Sequence, residues 1–496
     1  MRAADSPRAF ACLPCRPFCG RAGWGHLPRL RALATAPTLA RFSFFPPPVP
    51  AVFADLTADL TPALLVSCLF AAAVALHLAL RLWLALRQIR AVARGRAAVP
   101  QQFAGKVPLA AHQKAADYTA ARLRFGLLEA GFGSLALLAW TLLGGLDALN
   151  AWLLHALGPQ PLWQPLALLA AFMLINGALD LPFGAWQTFV IEQRFGFNKM
   201  TPRLWLADLA RGLALSLAIG LPLGALALWL VELAGAAWWL WLWGLWLAVA
   251  LLGTLVYPTL IAPLFNRFEP LADEALKARI EALMQRCGFA AQGLFVMDGS
   301  RRSAHGNAYF TGFGAARRVV FYDTLLQSLT PAEVEAVLAH ELGHFKRRHI
   351  AKSMAVTALL TLAALALLAW LAQQPWFYAG LGVRPHLPPE MGGAVPNHAL
   401  ALLLFMLGAP VLGVLLSPLL AALSRKHEFE ADAFAAEHSR ASDLISALVK
   451  LYEDNASTLT PDALYVRFYY SHPPASERIG HLERLMERAA QTAASA

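Results

Sequence analysis

The sequence is dominated by apolar runs too long for a water-soluble fold to hide. Stretches of 18 or more largely apolar residues recur at about 62–86, 125–146, 164–187, 206–231, 237–263, 353–373 and 398–421. Each is long enough to cross roughly 30 Å of hydrocarbon as a helix. The expected fold is therefore mostly α, a polytopic membrane protein with about seven transmembrane helices. Composition agrees: 58% of residues are hydrophobic, 15% are charged and the mean hydropathy is +0.50, beyond the range of ordinary soluble domains.

The net charge of +10 is not spread evenly. Arg87, Arg90, Arg94, Arg96 and Lys106 follow the first run, Arg194, Lys199 and Arg203 follow the third, and the segment 266–352 is rich in both types. The connections 147–163 and 232–236 hold no Lys or Arg, and 374–397 holds only Arg384. Such alternation is the positive-inside pattern, and with seven spans it places 266–352 and the C-terminus in the cytosol. No basic stripe with interleaved aromatics occurs, so nucleic acid is not an expected partner and the lipid bilayer is. Cys12, Cys15, Cys19, Cys68 and Cys287 imply neither a disulfide framework nor a metal site, since no His or fourth Cys completes a set at useful spacing.

Five segments follow. Residues 1–50 carry seven Arg against one acid, Asp5, and end in "FFPPPVP", a composition that neither spans nor packs. They read as a disordered or mis-assigned extension. A targeting segment is one explanation; the favoured one is an upstream mis-assigned start, with a non-Met initiator near Val49 or Val52. Residues 51–265 form an N-terminal membrane domain of about five spans, 266–352 a water-exposed domain, and 353–423 two further spans. Residues 424–496 form the C-terminal part of that water-exposed domain. Within 266–352, "LFVMDG" and "RRVVFYDTLL" read as strands flanking the loop "SRRSAHGNAYFTGFG", and "LTPAEVEAVLAHELGHF" reads as a helix. Thr330 is its cap, Pro331 suits the first turn, and Glu333 completes a capping box.

That helix carries His340, Glu341 and His344 as His-Glu-x-x-His. Residues four apart share a helix face, so both imidazoles reach one cation while Glu341 lies beside it without binding. Chance predicts on the order of 0.02 such motifs in a chain of this length. A zinc ion there, one per chain, would lower the pKa of its water toward about 7, and a carboxylate near that water can take its proton. The third ligand is expected from "SRKHEFEADAFAAEH". Glu428 and Asp432 are four apart and share a face, whereas Glu430 lies roughly 200° around from Glu428 and should point away. Glu428 is the expected ligand. Asp432 is either an acceptor for a ligand histidine's free N–H or a proton donor, and His427 has no assigned role. Continued at 1.5 Å per residue, the helix would set His344 roughly 14 Å from the sixth span, with Lys346, Arg347, Arg348 and Lys352 suited to anionic headgroups.

The ordered stretches "FVIEQRFGFNKMT", "PLFNRFEPL", "DGSRRSAHGNAYFTGFG", "LAHELGH", "SRKHEFEADAFA" and "YYSHPPASERI" resemble the signature of the type I CaaX prenyl endopeptidases, integral-membrane zinc metalloproteases of the gluzincin kind. The resemblance covers roughly residues 60 to 490. It implies His340, His344 and Glu428 as zinc ligands, Glu341 as general base and Asp432 as the position commonly assigned as proton donor. It further implies Asn307, Ala308 and Tyr309 as a substrate-aligning edge strand, and His472 and Arg478 as groups facing the zinc that support the oxyanion. Costly intramembrane groups such as Glu129, Asp147, Asn176 and Asp180 should either hydrogen-bond between helices or face a water-filled space, and the resemblance implies the latter, a large chamber enclosed by the seven helices. Ser303-Ala304 departs from the two adjacent serines common in the family.

The expected function is thus a zinc-dependent integral-membrane endopeptidase acting on a peptide or protein substrate in extended conformation. Its Ala- and Arg-rich composition suggests a bacterial inner membrane, with the endoplasmic reticulum expected if the source is eukaryotic and the catalytic domain on the cytosolic side. A bacterial setting favours turnover of membrane or misfolded proteins over CaaX processing. The alternative is a membrane transporter or channel with a structural zinc, which would be expected to use four protein ligands. A protease cutting inside a transmembrane helix would place its motif within an apolar run, and here the motif precedes one.

Overall fold

The computed structural model describes residues 61–289, 293–311, 318–384 and 398–495. The readings for residues 1–50, with Cys12, Cys15 and Cys19, lie outside them. The first half is helical: α1 (Pro62–Gly95), α2 (Leu109–Trp140), α3 (Gly145–Leu157), α4 (Trp163–Trp186, prolonged by a π-turn to Glu192), α5 (Pro202–Leu233), α6 (Trp238–Val256) and the short α7 (Ala262–Phe265). Then come β1 (Phe268–Pro270), α8 (Glu274–Arg286), β2 (Gly293–Met297), β3 (Ala308–Thr311), β4 (Arg318–Tyr322), α9 (Asp323–Ser328) and α10 (Pro331–Lys346). The chain closes with α11 (His349–Leu371), α12 (Pro375–Gly380), α13 (His398–Gly413), α14 (Ser417–His438), α15 (Ala441–Asp454), α16 (Ala463–Tyr469) and α17 (Ala475–Ser495).

Local chemistry explains several boundaries. Helices α1, α5 and α10 all start on Thr-Pro, the threonine side chain accepting a backbone N–H three residues on and the proline filling the first turn. Six helices among the described residues are long and apolar enough to cross a membrane, and the seventh expected span is carried by α13 and α14, bent by 69° at their junction. Only 6–17% of the most apolar window in each of the six is buried, so they form no tight bundle.

Three boundaries differ from expectation. The second helix runs Leu109–Trp140 and breaks before residue 146, because Gly144 adopts φ 78 and reverses the chain into α3. The seventh span is not continuous, since the chain turns between Gly413 and Ser417. Helix α10 does not run on into the sixth span: Arg348 sits at φ 57, ψ 35, and α11 begins at His349. The 14 Å extrapolation therefore fails. Of the intramembrane polar groups, Asn176 accepts from Trp140 Nε1 at 3.1 Å and Asp147 binds the Arg384 guanidinium at 2.9 Å, while Glu129 lines a cavity.

The four strands form one sheet in the order β1-β2-β4-β3, with β2 and β4 parallel and the outer pairs antiparallel. Strand β3 is therefore an edge strand. Beneath the sheet a single core joins Ile280 and Leu283 of α8, Val319 and Phe321 of β4, Leu338 and Leu342 of α10, Phe434 of α14 and Leu444 of α15. This core locks α10 in place.

The start of α10 is tied down by Glu333. Its carboxylate accepts the Thr330 N–H and the Lys450 ammonium at 2.7 Å each, and the Ser446 hydroxyl at 2.6 Å. Burial pushes this carboxyl up, but the bonds from Lys450, Ser446 and Thr330 outweigh it and hold it at about 2. A depressed folded-state value stabilises the protein above the ordinary value of 4.5, and that contribution is lost as pH falls from there toward about 2. Glu333→Ala is expected to cost on the order of 2 kcal/mol, the loss of a capping box plus a charge-assisted bond. Thermal unfolding in detergent at neutral pH checks this, and a melting temperature equal to that of the unsubstituted chain would refute it.

Candidate active site

Helical geometry alone puts His340 and His344 on one face of α10, and the structure adds what crosses it. Helix α14 packs against that face at Gly343, where an added Cβ would lie 2.9 Å from Ala431 Cα and 3.1 Å from Phe434 Cβ. The absence of a side chain lets the two backbones approach closely. Glu428 consequently reaches both rings: its Oε2 lies 3.4 Å from His340 Nε2 and its Oε1 3.3 Å from His344 Nε2. The two Nε2 atoms are 3.2 Å apart.

One ligand atom from each of these three residues lies within 4.8 Å of the others. Glu428 is buried and its Oε2 makes no hydrogen bond, which leaves lone pairs of that oxygen free for a cation nearer than the Arg478 guanidinium at 3.5 Å. Two imidazoles and one carboxylate with an open fourth position suit a catalytic divalent metal. The donor set fits such an ion.

Behind His340 stands Asp432, fully buried, with Oδ1 2.8 Å from His340 Nδ1. Arg478 of α17 closes on the same carboxylate, its Nε donating to Asp432 Oδ2 at 2.9 Å and its Nη2 to Oδ1. Its Nη1 lies 3.5 Å from Glu428 Oε2. Burial works against the Arg478 charge, but Asp432 and Glu428 hold the guanidinium above its ordinary range. Burial and the Arg478 charge likewise press His340 downward, yet the bonds to Asp432 and Glu428 lift it to about 9. His472, on the turn between α16 and α17, has Nε2 3.4 Å from Glu428 Oε1, and its side chain is 64% exposed.

A cavity of about 880 Å³ opens in front of these groups. His340, Glu341, Glu428, His472 and Arg478 line one wall, Asn307 and Ala308 another, and Arg122 and Glu129 of α2 reach it from the membrane helices. Antiparallel pairing alternates, and the Tyr322 N–H donates to the Asn307 carbonyl at 2.9 Å. Ala308, in the next and non-bonded pair with Phe321, thus turns its N–H and C=O toward the free edge. Its N–H donates to Asn307 Oδ1 at 2.8 Å. Upstream, Lys199 N–H donates to the Arg302 carbonyl and Ala304 N–H to the Phe197 carbonyl. Arg302 also binds Asp208 of α5 at 2.9 Å. The stretch after α4 thereby fixes the approach to β3.

Among the residues singled out from sequence, Tyr309 does not line the cavity, and His344 and Asp432 stand behind its wall rather than on it. Three residues beside the centre were not anticipated. His349 Nδ1 lies 3.1 Å from His344 Nδ1, Glu430 Oε2 lies 2.9 Å from His349 Nε2, and His427 stacks on His349 with ring centroids 4.1 Å apart. The only signal was a third histidine in "HELGHFKRRHI", five residues past His344, a spacing that no uninterrupted helix brings together.

Comparison with known proteins bears on the whole described chain. Residues 88–267 match the family model for the CAAX prenyl protease N-terminal region of five membrane helices, and residues 270–486 match peptidase family M48. The CAAX prenyl protease 1 homolog of Oryza sativa subsp. japonica is 39% identical over 319 residues, covering 64% of this chain and 73% of the rice protein. CAAX prenyl protease 1 of Saccharomyces cerevisiae is 35% identical over 333 residues, 66% and 73% of the two chains. The Caenorhabditis elegans homolog is 32% identical over 447 residues, 83% and 97%. The crystal structure of S. mikatae Ste24p shares the fold at a TM-score of 0.78 and 29% identity, over 84% of this chain and 99% of that one. Nothing among these matches supports a transporter or channel.

Gly343→Ala tests the helix crossing. Alanine favours an isolated helix by about 1 kcal/mol, yet here its Cβ would overpack the crossing with α14, a cost of about 1–3 kcal/mol. The expected result is a lower melting temperature together with weaker metal binding by chelator competition; a more stable variant with unchanged affinity would show that the crossing is not limiting.

Proposed function

The chain belongs to peptidase family M48 and, within it, to the CAAX prenyl proteases with membrane-helix N-terminal regions, and is a multi-pass membrane metalloendopeptidase; from that premise we propose that His340, His344 and Glu428 hold one zinc ion per chain and that the substrate is an extended peptide laid along β3. The observation that carries this reading is the meeting of three metal-suited atoms at a cavity, His340 and Glu428 on its wall and His344 just behind it, opposite a strand edge that no other strand covers at Ala308 among the described residues. Bound zinc would polarise the scissile carbonyl and acidify its water.

The remaining steps belong to this chain's own side chains. Glu341 takes the proton of the attacking water and passes it to the leaving amine. His472, open to the cavity, supports the developing oxyanion, and Arg478 contributes through Nη1, its other nitrogens being engaged by Asp432. Asp432 has both oxygens occupied and does not line the cavity. That favours a role in orienting His340 over proton donation. Ala308 pairs with the substrate backbone by β-augmentation, its N–H leaving Asn307 Oδ1 for a substrate carbonyl. Asn307 and Tyr309 hold the strand through their inward-facing backbones.

The basic connections support a cytosolic position for the centre. We assign the chain to a bacterial inner membrane on its Ala- and Arg-rich composition, with membrane or misfolded proteins as substrates; its similarity to CAAX prenyl proteases favours CaaX-type C-terminal processing instead. Comparing cleavage of a prenylated CaaX peptide with its unprenylated counterpart by the purified protein in liposomes separates the two.

Glu341→Gln is expected to retain one zinc per chain by elemental analysis while losing at least about 100-fold in kcat, within the range that positioned acid–base groups contribute. Undiminished turnover in that variant would remove Glu341 from the mechanism. Ala308→Pro takes away one outward N–H without breaking the ladder to β4. KM is expected to rise about 3- to 10-fold, the worth of one hydrogen bond, with kcat nearly unchanged; an unaltered KM would exclude pairing along this edge.

A further inference from the structure

The two histidines of the motif are held by different means. His340 has Asp432 behind it, whereas no carboxylate lies directly behind His344. Its Nδ1 instead meets His349 Nδ1 at 3.1 Å, and His349 Nε2 meets Glu430 Oε2 at 2.9 Å. A single proton assignment satisfies every atom. Where His344 Nε2 keeps its lone pair for a cation shared with His340 and Glu428, its proton sits on Nδ1 and is donated to His349 Nδ1. His349 then carries its own proton on Nε2 and donates it to Glu430. Neutral imidazoles have one donor and one acceptor nitrogen each, so the chain admits only this direction once His344 Nε2 is a ligand atom.

The surroundings fix this arrangement. His349 is 3% exposed, and His427, 6% exposed, stacks on it at an interplanar angle of 9°. Glu430, on the opposite side of α14 from Glu428, is also steadied by Lys426 at 3.9 Å. The backbone makes the contact available at a cost. Arg348 occupies the left-handed region at φ 57, which for a residue with a Cβ costs about 1–2 kcal/mol, and that turn ends α10 and folds His349 back against His344. In an uninterrupted helix the two rings would project roughly 140° apart.

We infer that His349 and Glu430 are positioning residues for the metal centre: Glu430 orients His349, and His349 fixes the tautomer and ring plane of His344 so that Nε2 is presented to zinc, with His427 holding the His349 ring in plane. The inference rests on the proposed ligand role of His344. It gives the centre two supports from α14, Asp432 for His340 and Glu430 through His349 for His344. Outer partners of metal-bound histidines are worth about 10- to 100-fold in metal affinity.

The test is zinc affinity of the purified full-length protein in detergent, measured by competition with a chelating dye, with melting of the metal-stripped protein as the folding control. His349→Phe keeps the stacked ring and removes both nitrogens; a 10- to 100-fold weaker zinc affinity is expected. His349→Asn keeps an acceptor near the Nδ1 position and should recover most of that loss. Glu430→Ala, at a partly exposed position that does not disturb packing, should weaken binding in the same direction, and the His349→Phe/Glu430→Ala pair should lose no more than His349→Phe alone. Zinc affinity unchanged in His349→Phe, or losses that simply add in the pair, would overturn the relay. If His349→Phe fails to fold, unchanged affinity in Glu430→Ala overturns it. An unsubstituted chain that binds no zinc would instead overturn the ligand assignment beneath it.

Discussion

The crossing of α10 and α14 at Gly343 is the constraint on which the rest of the centre depends. A side chain there would meet the backbone of Ala431, and only without one do the helices come close enough for a short Glu428 side chain to reach two imidazoles. Everything else follows from the same approach. Asp432 arrives one turn beyond Glu428, beside His340; Glu430, facing the other way, arrives beside His349. One helix thus supplies a candidate ligand from one face and supports for both histidines from neighbouring positions.

This crossing is buried in the core that it shares with the sheet. Leu338 and Leu342 of α10 and Phe434 of α14 belong to the same core as the sheet, where the hydrophobic effect operates fully. The membrane helices are packed sparsely by comparison. Their contribution is to enclose the cavity and to brace the substrate-side wall, through the pairing of Phe197 and Lys199 with Ala304 and Arg302 and the clasp between Arg302 and Asp208. The strand edge on that wall is therefore positioned from both the soluble core and the membrane domain. Division of labour of this kind suits a hydrolase at a membrane: the candidate centre sits on the dense core, and the membrane helices enclose the cavity in front of it.

Much of this was legible residue by residue. The seven apolar runs each fall on helix because hydrocarbon thickness fixes a minimum length, and the Thr-Pro starts are chemical signals read within one turn of chain. The capping box at Thr330 and Glu333 is equally local. The misplaced boundaries share one cause: hydropathy has no term for the reversal at Gly144, the turn after Gly413 or the left-handed Arg348, so each was read as continuous helix. Glu430 was expected to point away from the centre. It does point away from Glu428, but toward His349, a residue whose involvement depends on the turn at Arg348.

By itself the sequence determined that the chain crosses a membrane several times and that His340 and His344 face one way, since both follow from helical periodicity and the length of an apolar run. Only the tertiary structure brought Glu428 within reach of both rings, turned the Ala308 backbone toward the free edge of β3, and set His349 behind His344. Those facts depend on how closely two helices separated by some ninety residues can approach and on a single backbone dihedral. Neither quantity leaves a periodic trace along the chain.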